Sequence, residues 1–127
     1  MTAPADPTRV TCHCGGVELS VLLEGALDHA WKCDCSMCRR RGAPCASVPE
    51  AAVTVIKGDT LKRYRFGTKT AEYFFCDVCG VHTHGRTRNR PTHFGINTGA
   101  IDGLSPRDVH ASWYDGVNHP KDQRGDG

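Results

Sequence analysis

The chain has 127 residues, which suits one domain with a modest core: 39% of residues are hydrophobic and only 7% aromatic. Lys and Arg number 16 against 14 Asp and Glu, a formal charge of +2, too balanced to indicate a nucleic-acid or membrane binder. Eight cysteines are too few for a small secreted disulfide scaffold. Met1–Thr8 has no basic residue and no apolar core, and no apolar stretch is long enough for a membrane span. A reducing, cytoplasmic setting is therefore expected. There, clustered cysteines serve as metal ligands or catalytic thiols more often than as disulfides.

In chain order, the predicted elements are short strands. Val17–Leu23 alternates apolar and polar residues, the period-2 pattern of a half-buried strand, and Leu27–Lys32 is expected to run back beside it after Gly25. Val53–Lys57 and Leu61–Phe66 are read as a hairpin closed by Gly58-Asp59-Thr60. Tyr73–Phe75 and His93–Thr98 supply two further strands, with Trp31, Phe74, Phe75 and Phe94 as core. The 14 glycines and 7 prolines, with no clean 3.6-residue apolar stripe, argue against long helices. A mostly β fold with few or no long helices is expected.

Seven cysteines fall into three clusters: Cys12 and Cys14, then Cys33, Cys35 and Cys38, then Cys76 and Cys79. A C-x-x-C pair followed by glycine outlines a zinc knuckle, which supplies half a tetrahedron and needs a second pair. One arrangement joins Cys12, Cys14, Cys76 and Cys79 around a structural ion; a redox pair at Cys76 and Cys79 is the alternative. Cys33, Cys35 and Cys38 offer three ligands, the count of a catalytic zinc with an open position. Closure of that site by Cys45 or by a histidine from elsewhere is the competing reading, and simple burial of the thiols a further one.

The runs C-H-C-G-G-V at 12–17, C-D-C-S-M-C-R-R-R-G-A at 33–43 and F-F-C-D-V-C-G at 74–80 resemble the glutathione-dependent formaldehyde-activating enzyme (GFA) family, which shares its domain with the centromere protein V (CENP-V) group. F-G-I-N-T-G-A-I-D-G at 94–103 and D-G-V-N-H-P-K-D at 115–122 fit a bacterial branch of it. The resemblance covers residues 9–122 and leaves 1–8 and 123–127 as loose termini. It implies a small β-tent-like zinc domain with two zincs. Cys12, Cys14, Cys76 and Cys79 would hold a structural ion, and Cys33, Cys35 and Cys38 a catalytic one. It also implies a carbon–sulfur lyase activity that joins glutathione, as co-substrate, to formaldehyde and gives S-hydroxymethylglutathione.

A thiol bound at an open zinc site is deprotonated outright, and holding a thiolate beside so reactive an electrophile meets most of the chemical need. The carboxylates of glutathione need a basic lining. Arg39, Arg40 and Arg41 follow Cys38 directly, and His82, His84, Arg86, Arg88 and Arg90 recur at period two. Arg39, Arg40 and His84 are taken as glutathione contacts, with an ordinary solvated surface as the alternative. Asp34 and Ser36 are candidates to support the cysteines they separate, while His13, His29 and His119 are expected away from the chemistry. The rival functions are a zinc-stabilised binding or scaffold module and a thiol redox sensor. The expected partners are a small-molecule thiol and aldehyde, not a membrane or nucleic acid, with homo-oligomerisation open.

Overall fold

The computed structural model describes residues 6–66, 69–87 and 90–117. Among the described residues, ten short strands, one short α-helix and four 3-10 turns build a mostly β fold. A three-stranded antiparallel sheet contains β1 (Thr8–Thr11), β2 (Glu18–Val21) and β5 (Val53–Lys57) in the order β1-β2-β5. The second sheet has seven strands: β3 (Trp31–Cys33), β4 (Cys45–Pro49), β6 (Leu61–Tyr64), β7 (Glu72–Cys76), β8 (His82–Arg86), β9 (His93–Asn97) and β10 (Ser112–Tyr114). Their order is β10-β3-β4-β9-β8-β7-β6. Its pairings are antiparallel except that β10 runs parallel to β3, with Tyr114 opposite Cys33.

The alternation seen in the sequence places Leu19 and Val21 of β2 inward, where they meet Val10, Val17, Val48 and Ile96 with essentially no exposure. Each such side chain contributes about 1.5–3 kcal/mol by leaving water. Cys12 and Cys76 belong to the same buried cluster, so the core and the first group of thiols are continuous.

Two expected pairings are corrected. The segment after Gly25 does not run back along β2: Ala26–His29 forms a 3-10 turn, and β3 enters the other sheet. The reversal uses left-handed backbone at Glu24 (φ 44°) and Gly25 (φ 84°), which turns the chain out of the first sheet and packs Ala26 and Leu27 on the core. The Gly58-Asp59-Thr60 turn, likewise, does not close a hairpin. β5 pairs with β2 while β6 pairs with β7, so the turn carries the chain from one sheet to the other. Thr60 fixes that crossing, because its carbonyl accepts the Asp77 amide at 2.8 Å and its hydroxyl meets Cys76 Sγ at 3.2 Å.

Candidate metal centres and the adjoining cavity

The first centre forms where two strand ends meet. Beyond β1 the chain turns through Cys12 to Gly16, with Gly15 at φ 84°, and beyond β7 it turns through Cys76 to Gly80, with Gly80 at φ 77°. Each turn is tied by backbone bonds, Cys12 N–H to Val17 O at 3.2 Å and Cys76 N–H to Val81 O at 3.0 Å. Backbone amides also point at sulfur: Val17 N–H reaches Cys12 Sγ at 3.3 Å and Val78 N–H reaches Cys76 Sγ at 3.4 Å. A Cβ at Gly16 would lie 2.5 Å from Thr60 Oγ1, so glycine there lets the first turn close on Thr60, whose hydroxyl meets Cys76 Sγ.

The four sulfurs of Cys12, Cys14, Cys76 and Cys79 all lie within 4.8 Å of one another. Cys12 and Cys14 are 3.7 Å apart, and Cys14 and Cys76 3.5 Å. A tetrahedral ion with bonds near 2.3 Å needs sulfurs about 3.8 Å apart, so this donor set fits zinc. The Thr60 hydroxyl, with the Cys79 amide, holds the Cys76 thiol down to about 6. At that one sulfur the thiolate a soft metal binds is already favoured, while, against the Gly16 amide, hydrogen bonding to Cys76 and burial push the Cys14 thiol up to about 11.

The second centre is built on the short helix α1 (Ser36–Arg41). Cys35 caps its N-terminus, its Sγ accepting the Cys38 amide at 3.3 Å, and Gly42, at φ 71°, ends it with a bond back to Cys38 O. Cys35 N–H reaches Cys33 Sγ at 3.5 Å. The cap thus doubles as the device that gathers Cys33, Cys35 and Cys38, whose sulfurs also lie within 4.8 Å of one another. Hydrogen bonds from Cys33 and then Cys38 pull the Cys35 thiol down to about 2, and the same bonds push Cys33 and Cys38 up. Three sulfurs this close share their protons unless a cation replaces them. Cys45, the alternative fourth ligand, is not in this group; its buried thiol points to Ala43 O at 3.8 Å.

The segment after β10 crosses the second centre. Asp34 Oδ1 accepts the amides of Gly116 at 2.8 Å and Val117 at 3.3 Å. A Cβ at Gly116 would collide with Cys33 Sγ and come within 2.8 Å of Cys35 Cβ, so only glycine fits there. A cavity of about 360 Å³ adjoins the three thiols, which contribute to its wall. Trp31, Tyr73 and Tyr114 line it with rings, and the cross-strand partners Gly85 and Gly95 leave one stretch of sheet bare. Trp31 is held by Nε1–H donating to Ser47 Oγ at 2.7 Å, and a Cβ at Gly95 would lie 2.9 Å from its ring. Trp31, expected in the core, is thus a wall of this cavity.

Arg39 and Arg40 project to solvent, Arg40 bonding back to Ser36 O at 2.7 Å, and neither lines the cavity. Arg41 does line it; one nitrogen, Nη2, donates to Cys38 Sγ at 3.5 Å, and the guanidinium lies 5.0 Å over the Tyr73 ring. His84 is buried away from the cavity, stacked on Phe74 at 4.5 Å and edge-on to Phe94 at 5.2 Å, with Nδ1 on Thr83 Oγ1. A bulge opposite Phe74 and Phe75 breaks the period-two alternation and turns His82 to the face shared by Gly85 and Tyr73. Burial, helped by Arg41 at His82 and Arg86 at His84, lowers the two imidazoles to about 3 and 4, so both are neutral at physiological pH. Arg86 lines the cavity but is held by Glu72 at 2.8 Å and Glu50 at 2.6 Å; Arg88 lies outside the described residues, and Arg90 bonds His93. His13 and His29 are exposed, and His119 is outside the described residues.

Sequence reasoning missed α1, Arg41 as the inward member of its triplet, and Gly116. The first hides behind three closely spaced cysteines, and the last had a signal only in the Asp115-Gly116 pair.

A mostly β scaffold with one four-thiol and one three-thiol group, the latter beside a cavity, defines a class of small β domain whose cysteine clusters could hold metal ions. The chain belongs to the glutathione-dependent formaldehyde-activating enzyme family, whose model matches residues 7–115. A crystal structure of a Rhodobacter sphaeroides protein is similar, at 42% identity and a TM-score of 0.80, covering 84% of this chain and 99% of that one.

Proposed function

We propose that the protein is a zinc-dependent carbon–sulfur lyase-like enzyme that joins a thiol, glutathione or a relative of it, to formaldehyde or a related small aldehyde. Cys33, Cys35 and Cys38 are assigned to the catalytic ion, and Cys12, Cys14, Cys76 and Cys79 to a structural one. The observation that carries this reading is the contrast in surroundings: the three-thiol centre walls a cavity, whereas the four-thiol centre joins the core through Cys12 and Cys76, leaves Cys14 at the surface and borders no described cavity. No helix among the described residues is long and apolar enough to cross a membrane, in keeping with small-molecule partners in a reducing compartment.

Zinc, when bound, supplies a charge that makes a coordinated thiol a thiolate at neutral pH. The addition forms one carbon–sulfur bond and moves the carbonyl π pair onto oxygen, which takes up the proton the thiol has lost; nothing is oxidised. The chain's own residues keep the ligands in place and shape the space. Cys35 fixes α1 and thereby Cys38, and Asp34 holds Gly116 over Cys33. Trp31 and Tyr73 limit the water beside the sulfurs. Arg39 and Arg40, at the exposed end of α1, are assigned to the outer carboxylates of glutathione, and His84 to support of β8 behind the cavity.

Exchange NMR on a glutathione and formaldehyde mixture tests the reading. Exchange between free and adduct forms should accelerate with the wild-type protein and return to the uncatalysed rate with Cys35→Ser. Equal rates with and without protein would leave only a binding module.

A further inference from the structure

Arg41 is the cation of the cavity wall whose charge the protein leaves least answered. Arg86 is bound by Glu50 and Glu72, and Arg90 rests on His93. Arg41 meets the sulfurs of Cys38 and Cys45 and the Tyr73 ring, while its Nε and Nη1 are buried with no close hydrogen-bond partner among the described residues. His82 Nε2, beside it, is also buried and unpartnered. A guanidinium does not lose its proton in a protein, and burying a cation without an opposing charge is costly. Arg41 lines the cavity, and its charge, spread over three nitrogens, is felt by a group that enters there.

We propose that the reactant carries a carboxylate close to its reacting atom, and that Arg41 receives it. This rests on the cavity being where thiol and aldehyde meet. Arg41 Nη2 lies 3.5 Å from Cys38 Sγ. An anion on Arg41 and an atom reacting beside the three sulfurs therefore stand close enough for one small molecule with the two groups a few bonds apart to reach both. That describes a compact thiol acid or aldehyde acid. Among the described residues no carboxylate side chain lines the cavity to oppose such an anion, and the rings of Trp31 and Tyr73 line it.

Calorimetric titration of the zinc-loaded full chain with matched probes tests this. Mercaptoacetate should bind about tenfold or more tightly than 2-mercaptoethanol, or glyoxylate than acetaldehyde. The pair that shows the preference tells whether the carboxylate rides on thiol or aldehyde. In Arg41→Gln the preference should fall below about twofold, while exposed Arg107→Gln keeps it and Arg41→Lys keeps part of it. No preference in either wild-type pair, or one that survives in Arg41→Gln, would overturn the proposal and leave the thiolate cluster as Arg41's sole counter-charge. Should Arg41→Gln not fold, the wild-type pairs and Arg41→Lys decide. Failure of 2-mercaptoethanol to bind any form would instead defeat the thiol reaction, while acetate binding that depends on Arg41 would still uphold the anion site.

Discussion

The two groups of thiols use the same ligand chemistry in opposite settings. Cys12, Cys14, Cys76 and Cys79 come from two turns far apart in sequence, and two of them belong to the main hydrophobic cluster. Cys33, Cys35 and Cys38 come from one local segment, sit beside a cavity and are covered on one side by Gly116. A metal at the first centre closes a long loop and stabilises the fold; one at the second orders little of the chain and faces incoming molecules. The same element, placed by different backbone, is expected to do structural work in one case and chemistry in the other.

The largest effect that separates the two is expected from Cys76→Ser. Loss of a ligand from the closed centre should cost on the order of 5 kcal/mol or more and abolish a cooperative thermal transition, read by circular dichroism. A stable Cys76→Ser protein would erase the distinction. Gly116→Ala comes next, since its methyl group meets Cys33 Sγ. Metal affinity at the open centre should fall about 10–100-fold in a chelator competition, with the closed centre unaffected. Asp34→Asn, which weakens the hold on Gly116 and Val117, should lower it less, by about threefold to tenfold.

A further effect concerns neither centre. His84 has its imidazole lowered by burial to about 4, so the unfolded chain binds more protons than the native one between that value and about 6.5. Stability is then fully present above pH 6.5 and declines as the pH falls toward 4. The loss should reach about 3 kcal/mol at most. Urea unfolding at pH 7 and pH 5 should show a smaller decline for His84→Phe than for wild type; equal declines would remove His84 from the account.

Much of this was legible in the sequence because it depended on spacing. The alternation at β2 gave the inward Leu19 and Val21, and the ligand spacings gave both clusters. Pairing was less legible. β5 and β6 flank a short glycine turn that also suits a hairpin, and only the distant contact of Thr60 with Cys76 and Asp77 commits them to different sheets. Inward and outward arginines were equally hidden, since Arg39, Arg40 and Arg41 differ only by their angle around α1, a helix whose cap is itself a cysteine. His82 and His84 share a period-two register in the sequence that a single bulge destroys.

The central claim, one closed structural centre and one open catalytic one, is tested most directly by native mass spectrometry of the wild-type chain and Cys35→Ser, with their melting curves. The account predicts two zincs in the wild type and one in Cys35→Ser, with melting temperatures within about 4 °C of each other. A single zinc in the wild type, or loss of both ions and of the fold in Cys35→Ser, would contradict it.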